Sequence, residues 1–176
     1  MQQVLIFLAD TFFSLLFFVF LLRFLMQVSG AGFRNPLAQA VLQATNWLIM
    51  PLRKFLPPIR RIDTASVVAI FLVALAQVAA EKFVRGGVLP DAFSWVSVAL
   101  LEILIRVLWL YFWAIFVYAL VSMIAPGAYS PVNSLLQSLC EPILKPIRSV
   151  VPALGGLDLS PLIAGVIIQV ILILLR

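Results

Sequence analysis

The sequence predicts an all-α integral membrane protein with four transmembrane helices, arranged as two tandem repeats that each read span, interfacial helix, span. Three observations lead to this fold class. Hydrophobic residues make up 64% of the 176 residues and charged residues only 11%, against about 25% charged in a typical soluble domain. Four apolar stretches are long enough to cross a bilayer. The two segments between spans also align with each other at an offset of 95 residues.

The composition excludes several classes of protein. A soluble fold of this size could not bury so much apolar surface, with a mean hydropathy of +1.17, which argues against a free cytosolic enzyme, a secreted disulfide scaffold or a disordered tail. Histidine is absent and Cys140 is the one cysteine, so the commonest general base and metal ligand are missing. We therefore expect no enzymatic activity, no metal and no cofactor.

The four predicted spans are residues 4–28, 65–83, much of 93–125, and 157–175. A helix needs roughly 20 apolar residues to cross about 30 Å of hydrocarbon. The first span is not expected to be a cleavable signal peptide, because it lacks a basic start and carries Asp10.

Orientation follows from the distribution of Lys and Arg in the short loops. Seven of these residues lie in the segments between spans one and two and between spans three and four, against three on the opposite side. Since basic loops stay in the cytoplasm, both termini are expected to face outward, with the two long segments between spans in the cytoplasm. The net charge of +5 favours anionic lipid headgroups over nucleic acid as a contact, because no soluble basic domain is present.

An internal repeat relates the two cytoplasmic segments. Identical residues pair as Pro36 with Pro131, Pro51 with Pro146, Arg53 with Arg148, Pro57 with Pro152, and Asp63 with Asp158. A duplicated unit explains this better than chance. We expect one repeat over 1–88 and a second over 89–176, related by an axis along the membrane normal.

Each repeat contains an amphipathic helix that begins at a capped proline, after Asn35 and after Ser130. These helices should lie flat in the cytoplasmic interface or re-enter the membrane. Pro51 and Pro146 should kink or end them. Asp63 and Asp158 would then cap the following span with their carboxylates. The predicted apolar face of the first helix consists of Leu37, Val41, Leu48, Leu52 and Phe55.

The sequence resembles the YggT family of integral membrane proteins over nearly the whole chain. The resemblance rests on LLRFLMQ (21–27), NPLAQ (35–39), PLRKFLPPIRRID (51–63), and EPILKPIRSVVP followed by GGLDLSP (141–161). The first copy departs mildly from the family pattern, since Pro58-Ile59-Arg60-Arg61 stands where the second has Ala153-Leu154-Gly155-Gly156. We expect a structural role for the motif residues Asn35, Pro36, Pro51, Pro57, Asp63, Pro131, Glu141, Pro142, Pro146, Pro152, Gly155, Gly156 and Asp158.

The resemblance implies a multi-pass bacterial inner-membrane protein with plastid relatives. It implies a link to osmotic stress and potassium balance, to cell-division-associated organisation or, in plastids, to assembly of a haem-containing cytochrome complex. Covalent haem handling conflicts with the absence of histidine and with a lone Cys140 outside any CxxCH motif.

Charged residues inside the spans predict a small cluster. A charge at mid-membrane costs roughly 2.5–3.5 kcal/mol, so Asp10 in span one and Glu102 and Arg106 in span three are expected to meet. Glu102 precedes Arg106 by four residues, which is the favourable order on a helix. The cluster is interpreted either as an ion-binding or gating site or as a structural ion pair.

The remaining basic residues are candidate lipid or partner contacts: Arg23, Arg53, Lys54, Arg60, Arg61, Lys145 and Arg148. Arg23 marks a cytoplasmic vestibule or extends to the inner headgroups. The recurring pairs Arg53 with Asp63 and Arg148 with Asp158 either bind a partner or headgroup or form a salt bridge that holds the interfacial helix to the next span. Gln77 and Gln169 are expected to form interhelical hydrogen bonds.

Two functions from different classes fit these observations. The first is a non-enzymatic scaffold or assembly factor that acts through its cytoplasmic-side helices. The second is a small channel or transporter that contributes to potassium or osmolyte balance. Few polar residues in the spans favour the first, and the repeat and the charge cluster favour the second. A homo-oligomer or a complex with another membrane protein is expected in either case.

Overall fold

The computed structural model describes residues 2–30, 35–59, 62–87, 91–124, 130–151 and 158–175. Within these ranges the fold is all-α, as predicted, apart from an isolated bridge between Ile59 and Ile62. The described helices are α1 (Gln2–Val28), α2 (Pro36–Phe55), α3 (Thr64–Val84), α4 (Ala92–Ile124), α5 (Pro131–Val150) and α6 (Ser160–Leu174). The chain forms two compact units: unit 1 comprises Met1–Phe24 and Val41–Arg106, and unit 2 comprises Leu25–Ala40 and Val107–Arg176.

Three of the described helices, α1, α3 and α4, are long and apolar enough to cross a membrane. They coincide with the first three predicted spans. The fourth predicted span, residues 157–175, corresponds to α6, which has 15 described residues. At 1.5 Å per residue this helix is about 22 Å long, short of the roughly 30 Å of a hydrocarbon core. The fourth span therefore stays a prediction.

The helices α2 and α5 have the same length, 20 residues each. Their first residues, Pro36 and Pro131, lie 95 positions apart. The predicted caps are confirmed at both starts. The Asn35 side-chain oxygen accepts a hydrogen bond from the Leu37 backbone N–H at 2.9 Å, and Ser130 Oγ accepts one from the Asn133 backbone N–H at 3.0 Å.

Replacing the cap of α5 should destabilise the protein measurably. Ser130→Ala removes an acceptor for a backbone N–H that has no partner within the helix, and we expect a loss of about 1 kcal/mol in the free energy of unfolding. Titration of SDS into the folded protein in mixed micelles measures this loss. Ser138→Ala is the matched control, because that hydroxyl donates to the Ser134 carbonyl inside the same helix and its loss is nearly neutral. Equal costs for the two variants would contradict the capping role.

Two predictions are altered here: Pro51 and Pro146 do not end their helices, while a kink at either proline stays a prediction, and the Asp63 carboxylate does not cap α3. Pro51 and Pro146 lie inside α2 and α5, which continue to Phe55 and Val150, so neither proline ends its helix. Asp63 occupies the N-cap position of α3 but makes no side-chain cap hydrogen bond. Its two carboxylate oxygens are instead taken by the Arg53 guanidinium and the Ser66 hydroxyl.

The buried face of α2 also differs from the predicted apolar face. Phe55, assigned to that face, is 83% exposed, whereas Thr45 is 1% exposed and Ile49 is fully buried. The reason is a polar partner inside unit 1, since Arg23 of α1 donates to Thr45 and Asn46. An apolar stripe read along the helix could not account for a buried arginine that requires acceptors.

Candidate functional site

An ion pair joins α2 to α3 in unit 1. Arg53 Nη2 lies 2.7 Å from Asp63 Oδ2, and Arg53 Nε donates to Asp63 Oδ1 at 3.3 Å. Ser66 Oγ donates to Asp63 Oδ2 at 2.7 Å. The Asp63 side chain is fully buried, while that of Arg53 is 38% exposed. This geometry brings together the predicted pair and favours a role in holding α2 to the start of α3.

The surroundings of Asp63 keep its carboxylate ionised. Burial by itself would raise the pKa of Asp63, but hydrogen bonds from Arg53 and Ser66 and the nearby positive charges of Arg53 and Arg23 hold that pKa below its ordinary value. A buried carboxylate with this set of donors is stable as long as every donor is present.

An equivalent ion pair joins α5 to α6 in unit 2, in a more open setting. Arg148 Nε donates to Asp158 Oδ2 at 2.8 Å and Arg148 Nη1 to Glu141 Oε2 at 3.0 Å. The third nitrogen, Nη2, lies 3.4 Å from the Tyr118 hydroxyl. The Asp158 side chain is 39% exposed. Asp158 Oδ1 also accepts from the Ser160 backbone N–H at 2.9 Å, so the predicted contact with free N–H groups at the start of the helix is confirmed here.

Arg23 lies inside unit 1 and is only 3% exposed. Its Nη1 donates to Thr45 Oγ1 at 2.6 Å, to Asn46 Oδ1 at 2.9 Å and to the Leu42 carbonyl at 3.3 Å. The Nε atom is buried and has no hydrogen-bond partner among the described residues. The guanidinium is thus directed against α2 and fixes the position of that helix.

The offset of 95 residues relates these two surroundings. Arg23 corresponds to Tyr118, and Asn46 corresponds to Glu141. The ion pair of unit 1 and its charged neighbour therefore comprise two arginines and one carboxylate (Arg23, Arg53 and Asp63). The corresponding group in unit 2 comprises one arginine and two carboxylates (Arg148, Glu141 and Asp158). Thr45, Asn46 and Tyr118 were absent from the predicted site, although this alignment could have identified Asn46 and Tyr118 as counterparts of charged residues.

The predicted charge cluster of Asp10, Glu102 and Arg106 comes together in unit 1. Arg106 Nη2 lies 3.7 Å from Asp10 Oδ1, and Arg106 Nε lies 3.4 Å from Glu102 Oε2. It also donates to Ser14 Oγ at 3.0 Å. The Arg106 side chain is 13% exposed, whereas those of Asp10 and Glu102 are 51% and 46% exposed. The arginine is thus enclosed by acceptors and the two carboxylates are half-exposed.

Two further contacts extend this cluster beyond the prediction. Gln77 of α3 donates through Nε2 to Asp10 Oδ1, which confirms the expected interhelical hydrogen bond of Gln77. The Arg106 guanidinium carbon lies 5.1 Å from the centre of the Phe17 ring, within the range of a cation–π interaction. The cluster therefore connects α1, α3 and α4 and supplies the Arg106 guanidinium with partners within the protein.

The other candidate contact residues lie at the surface or outside the described ranges. Lys54 on α2 and Lys145 on α5 are exposed. Pro36, Pro57, Pro131 and Pro142 are exposed too, and the Asn35 amide donates to the Pro131 carbonyl at 2.6 Å. Arg60, Arg61, Pro152, Gly155 and Gly156 lie outside the residues that the structure describes.

The candidate metal-ligating and thiol side chains of the described residues are placed as follows. No group of three or more Cys, Asp or Glu side chains in these ranges is placed to hold a metal ion. Cys140 is buried on α5, and burial raises its pKa to about 12. Because the thiolate is the reactive form, this cysteine is inert at neutral pH.

Comparison with known proteins identifies the family. The CCB3/YggT family model matches residues 2–83 and 97–176. The chain is 36% identical over 170 residues to the uncharacterized protein YggT of Escherichia coli K12, covering 97% of this chain and 88% of that protein. It is 35% identical over 170 residues to an uncharacterized protein of Pseudomonas aeruginosa, covering 94% and 85%. No solved structure matches significantly. The chain therefore belongs to the CCB3/YggT family.

Proposed function

We propose that the protein is a non-enzymatic scaffold or assembly factor of the bacterial inner membrane that acts through exposed faces of α2 and α5 on the cytoplasmic side. One observation carries this proposal. Two helices of equal length, 95 residues apart, are each held to the following helix by an Arg–Asp ion pair and leave a lysine exposed. A helix that is fixed on one side and open on the other is suited to binding rather than to chemistry.

The open side of α2 has the composition of a contact surface. Trp47 is 62% exposed, Met50 58% and Phe55 83%, and Lys54 is exposed beside them. We call these four residues the α2 contact face. Aromatic and apolar side chains next to lysine are typical of helices that lie at an anionic membrane surface or bind another membrane protein. Arg53 and Arg148 are engaged inside the protein, so Lys54 and Lys145 are the better contact candidates.

The repeat and the topology belong to the same proposal. The two stretches matched by the family model begin at residues 2 and 97, and this spacing equals the offset of the aligned motifs. Two repeats with four spans would place α2 and α5 on one side of the membrane, and the excess of Lys and Arg in their segments supports the cytoplasmic side.

The contact function is tested in native membranes. A photoreactive residue at Met50 should cross-link to neighbouring protein, and Lys54→Gln with Lys145→Gln should reduce the yield. Each lysine contributes about 1 kcal/mol at an anionic surface, or about fivefold in binding. Lys82→Gln is the matched control, because Lys82 is also exposed but lies in the last turn of α3, away from the end of α3 that is held to α2. Unchanged yield in the double variant, or an equal loss in the control, would reject the α2 contact face.

A channel is the alternative, and the half-exposed carboxylates of Asp10 and Glu102 favour it. The scaffold proposal expects no potassium flux through the folded protein in vesicles beyond that of empty vesicles. Flux that falls in Asp10→Ala would replace the scaffold by a transport function with this cluster as its site.

A further inference from the structure

An open groove runs between α4 and α6 in unit 2. Its volume is about 820 Å³, and its walls include Phe112, Phe116 and Ala119 from α4 and Leu162, Gly165 and Val166 from α6. Leu162 is 67% exposed and Val166 57%. The lining is largely apolar, although Tyr118, Ser122 and Asp158 also contribute to it. The other residues of the groove indicate which occupant fits.

Gln169 supplies the first indication. It lines the groove, nine residues after the start of α6 and thus about 13 Å along the helix. Among the described residues none forms a hydrogen bond with its amide, and its groove neighbours Val166, Val170 and Ile173 are apolar. An amide without a partner is costly in hydrocarbon. A lipid acyl chain cannot satisfy it, whereas a polar side chain on another helix can.

The groove also admits a close helix. Gly165 carries no side chain, and a Cβ placed there would meet only Phe112 Cε2, at 3.8 Å. Ala119 adds a second small residue to the lining. Small residues at such positions let two helix backbones approach closely. The groove therefore fits a transmembrane helix better than a side chain or a lipid tail.

The corresponding positions of the first repeat are closed. At an offset of 95 residues, Gly165 corresponds to Ile70 and Gln169 to Ala74. Ile70 is 5% exposed and Ala74 3% exposed, so these positions are filled and apolar in unit 1. Of these two sets of positions, only those of the second repeat line an open groove and include an amide without a hydrogen-bond partner among the described residues.

We infer that the α4–α6 groove binds a second copy of this chain, and that Gln169 pairs with the partner's Gln169. A carboxamide both donates and accepts a hydrogen bond, so two copies related by a twofold axis satisfy each other without a further residue. The α6 helix of each copy then lies in the groove of the other. This interface is separate from the α2 contact face, so either can fail without the other.

Disulfide trapping tests the interface. The full-length protein with Cys140→Ala is reconstituted in phospholipid vesicles at low density, with Gln169→Cys or Ile167→Cys added. Ile167 is the matched control, because it is 48% exposed on the same helix and does not line the groove. Mild oxidation should convert most of the Gln169→Cys protein to a covalent dimer and leave Ile167→Cys monomeric. Equal trapping of the two, or none of either, would overturn the interface.

A second measurement keeps the native cysteine and does not depend on trapping. Energy transfer between copies labelled at the N-terminus gives the dimerisation constant in vesicles. Gln169→Leu should lower it about threefold to tenfold, the range expected for an interhelical amide contact. Gly165→Leu, which fills the groove, should lower it too, and Ile167→Leu should leave it unchanged. A wild-type protein that stays monomeric at every density, or a Gln169→Leu variant that dimerises like the wild type, would reject the second copy as the occupant.

Discussion

Asp63→Ala is expected to lower the free energy of unfolding by about 3–5 kcal/mol, the usual cost of breaking a buried ion pair by removing one partner. The Asp63 side chain is fully buried and accepts hydrogen bonds from Arg53 and Ser66. Its removal leaves Arg53 without its carboxylate partner. The repulsion between the positive charges of Arg53 and the buried Arg23 is then no longer offset by a nearby negative charge. SDS titration in mixed micelles measures the loss.

Asp158→Ala is the matched control for this prediction. It removes the corresponding carboxylate of unit 2, but that side chain is 39% exposed and Arg148 keeps Glu141 as a partner. We expect a loss of about 1 kcal/mol, from the exposed ion pair and the contact with the Ser160 N–H. Similar losses for the two variants would show that burial does not determine the strength of these pairs.

The pH dependence of stability provides a second readout for Asp63. Its pKa is lowered in the folded protein, so its contribution is fully present above the unfolded pKa of about 3.9 and is lost as the pH falls through the folded value. The Asp63→Ala variant should lack this part of the acid destabilisation.

Arg106→Ala should be the second most damaging substitution, with an expected loss of about 1.5–3 kcal/mol. Arg106 holds Asp10, Glu102 and Ser14 together and lies over the Phe17 ring. The half-exposed carboxylates recover part of their solvation when the arginine is removed, which keeps the cost below that of Asp63. The same SDS titration measures it.

Arg85→Ala is the control for Arg106. Arg85 also pairs with an acid four residues earlier, Glu81, but at 4.0 Å and with 61% of its side chain exposed. Its loss should change the free energy of unfolding by less than about 0.5 kcal/mol. If Arg106→Ala cost no more than Arg85→Ala, the cluster would contribute nothing to stability, and an ion-binding role would become its better explanation.

The sequence predicted the parts of the fold that depend on local chemistry. Hydropathy located α1, α3 and α4, and the Asn-Pro and Ser-Pro pairs located the first residues of α2 and α5, because capping depends on residues next to each other. The offset of 95 residues also aligned Arg53 with Arg148 and Asp63 with Asp158, which placed a candidate Arg–Asp pair at equivalent positions of the two segments. These predictions required no knowledge of how the helices pack.

The buried face of α2 could not be predicted in the same way. Phe55 belonged to the predicted apolar face and is exposed, while Thr45 is buried because Arg23 requires an oxygen there. The partner of a buried charge comes from another helix, and the sequence does not show which helix approaches. The sequence predicted both a helix cap and an Arg53 partner for Asp63. Only the folded protein shows that Arg53 and Ser66 occupy its oxygens in place of a backbone N–H of α3.

The sequence by itself determined that this is an all-α membrane protein of the CCB3/YggT family, with an Arg–Asp pair at equivalent positions of two aligned segments. Only the tertiary structure decided that these two pairs differ. Asp63 is fully buried with Ser66 and near Arg23, whereas Asp158 is partly exposed and shares Arg148 with Glu141 and Tyr118. The physical reason is that alignment fixes which residues are present, while burial and the set of neighbours fix the strength of each ion pair.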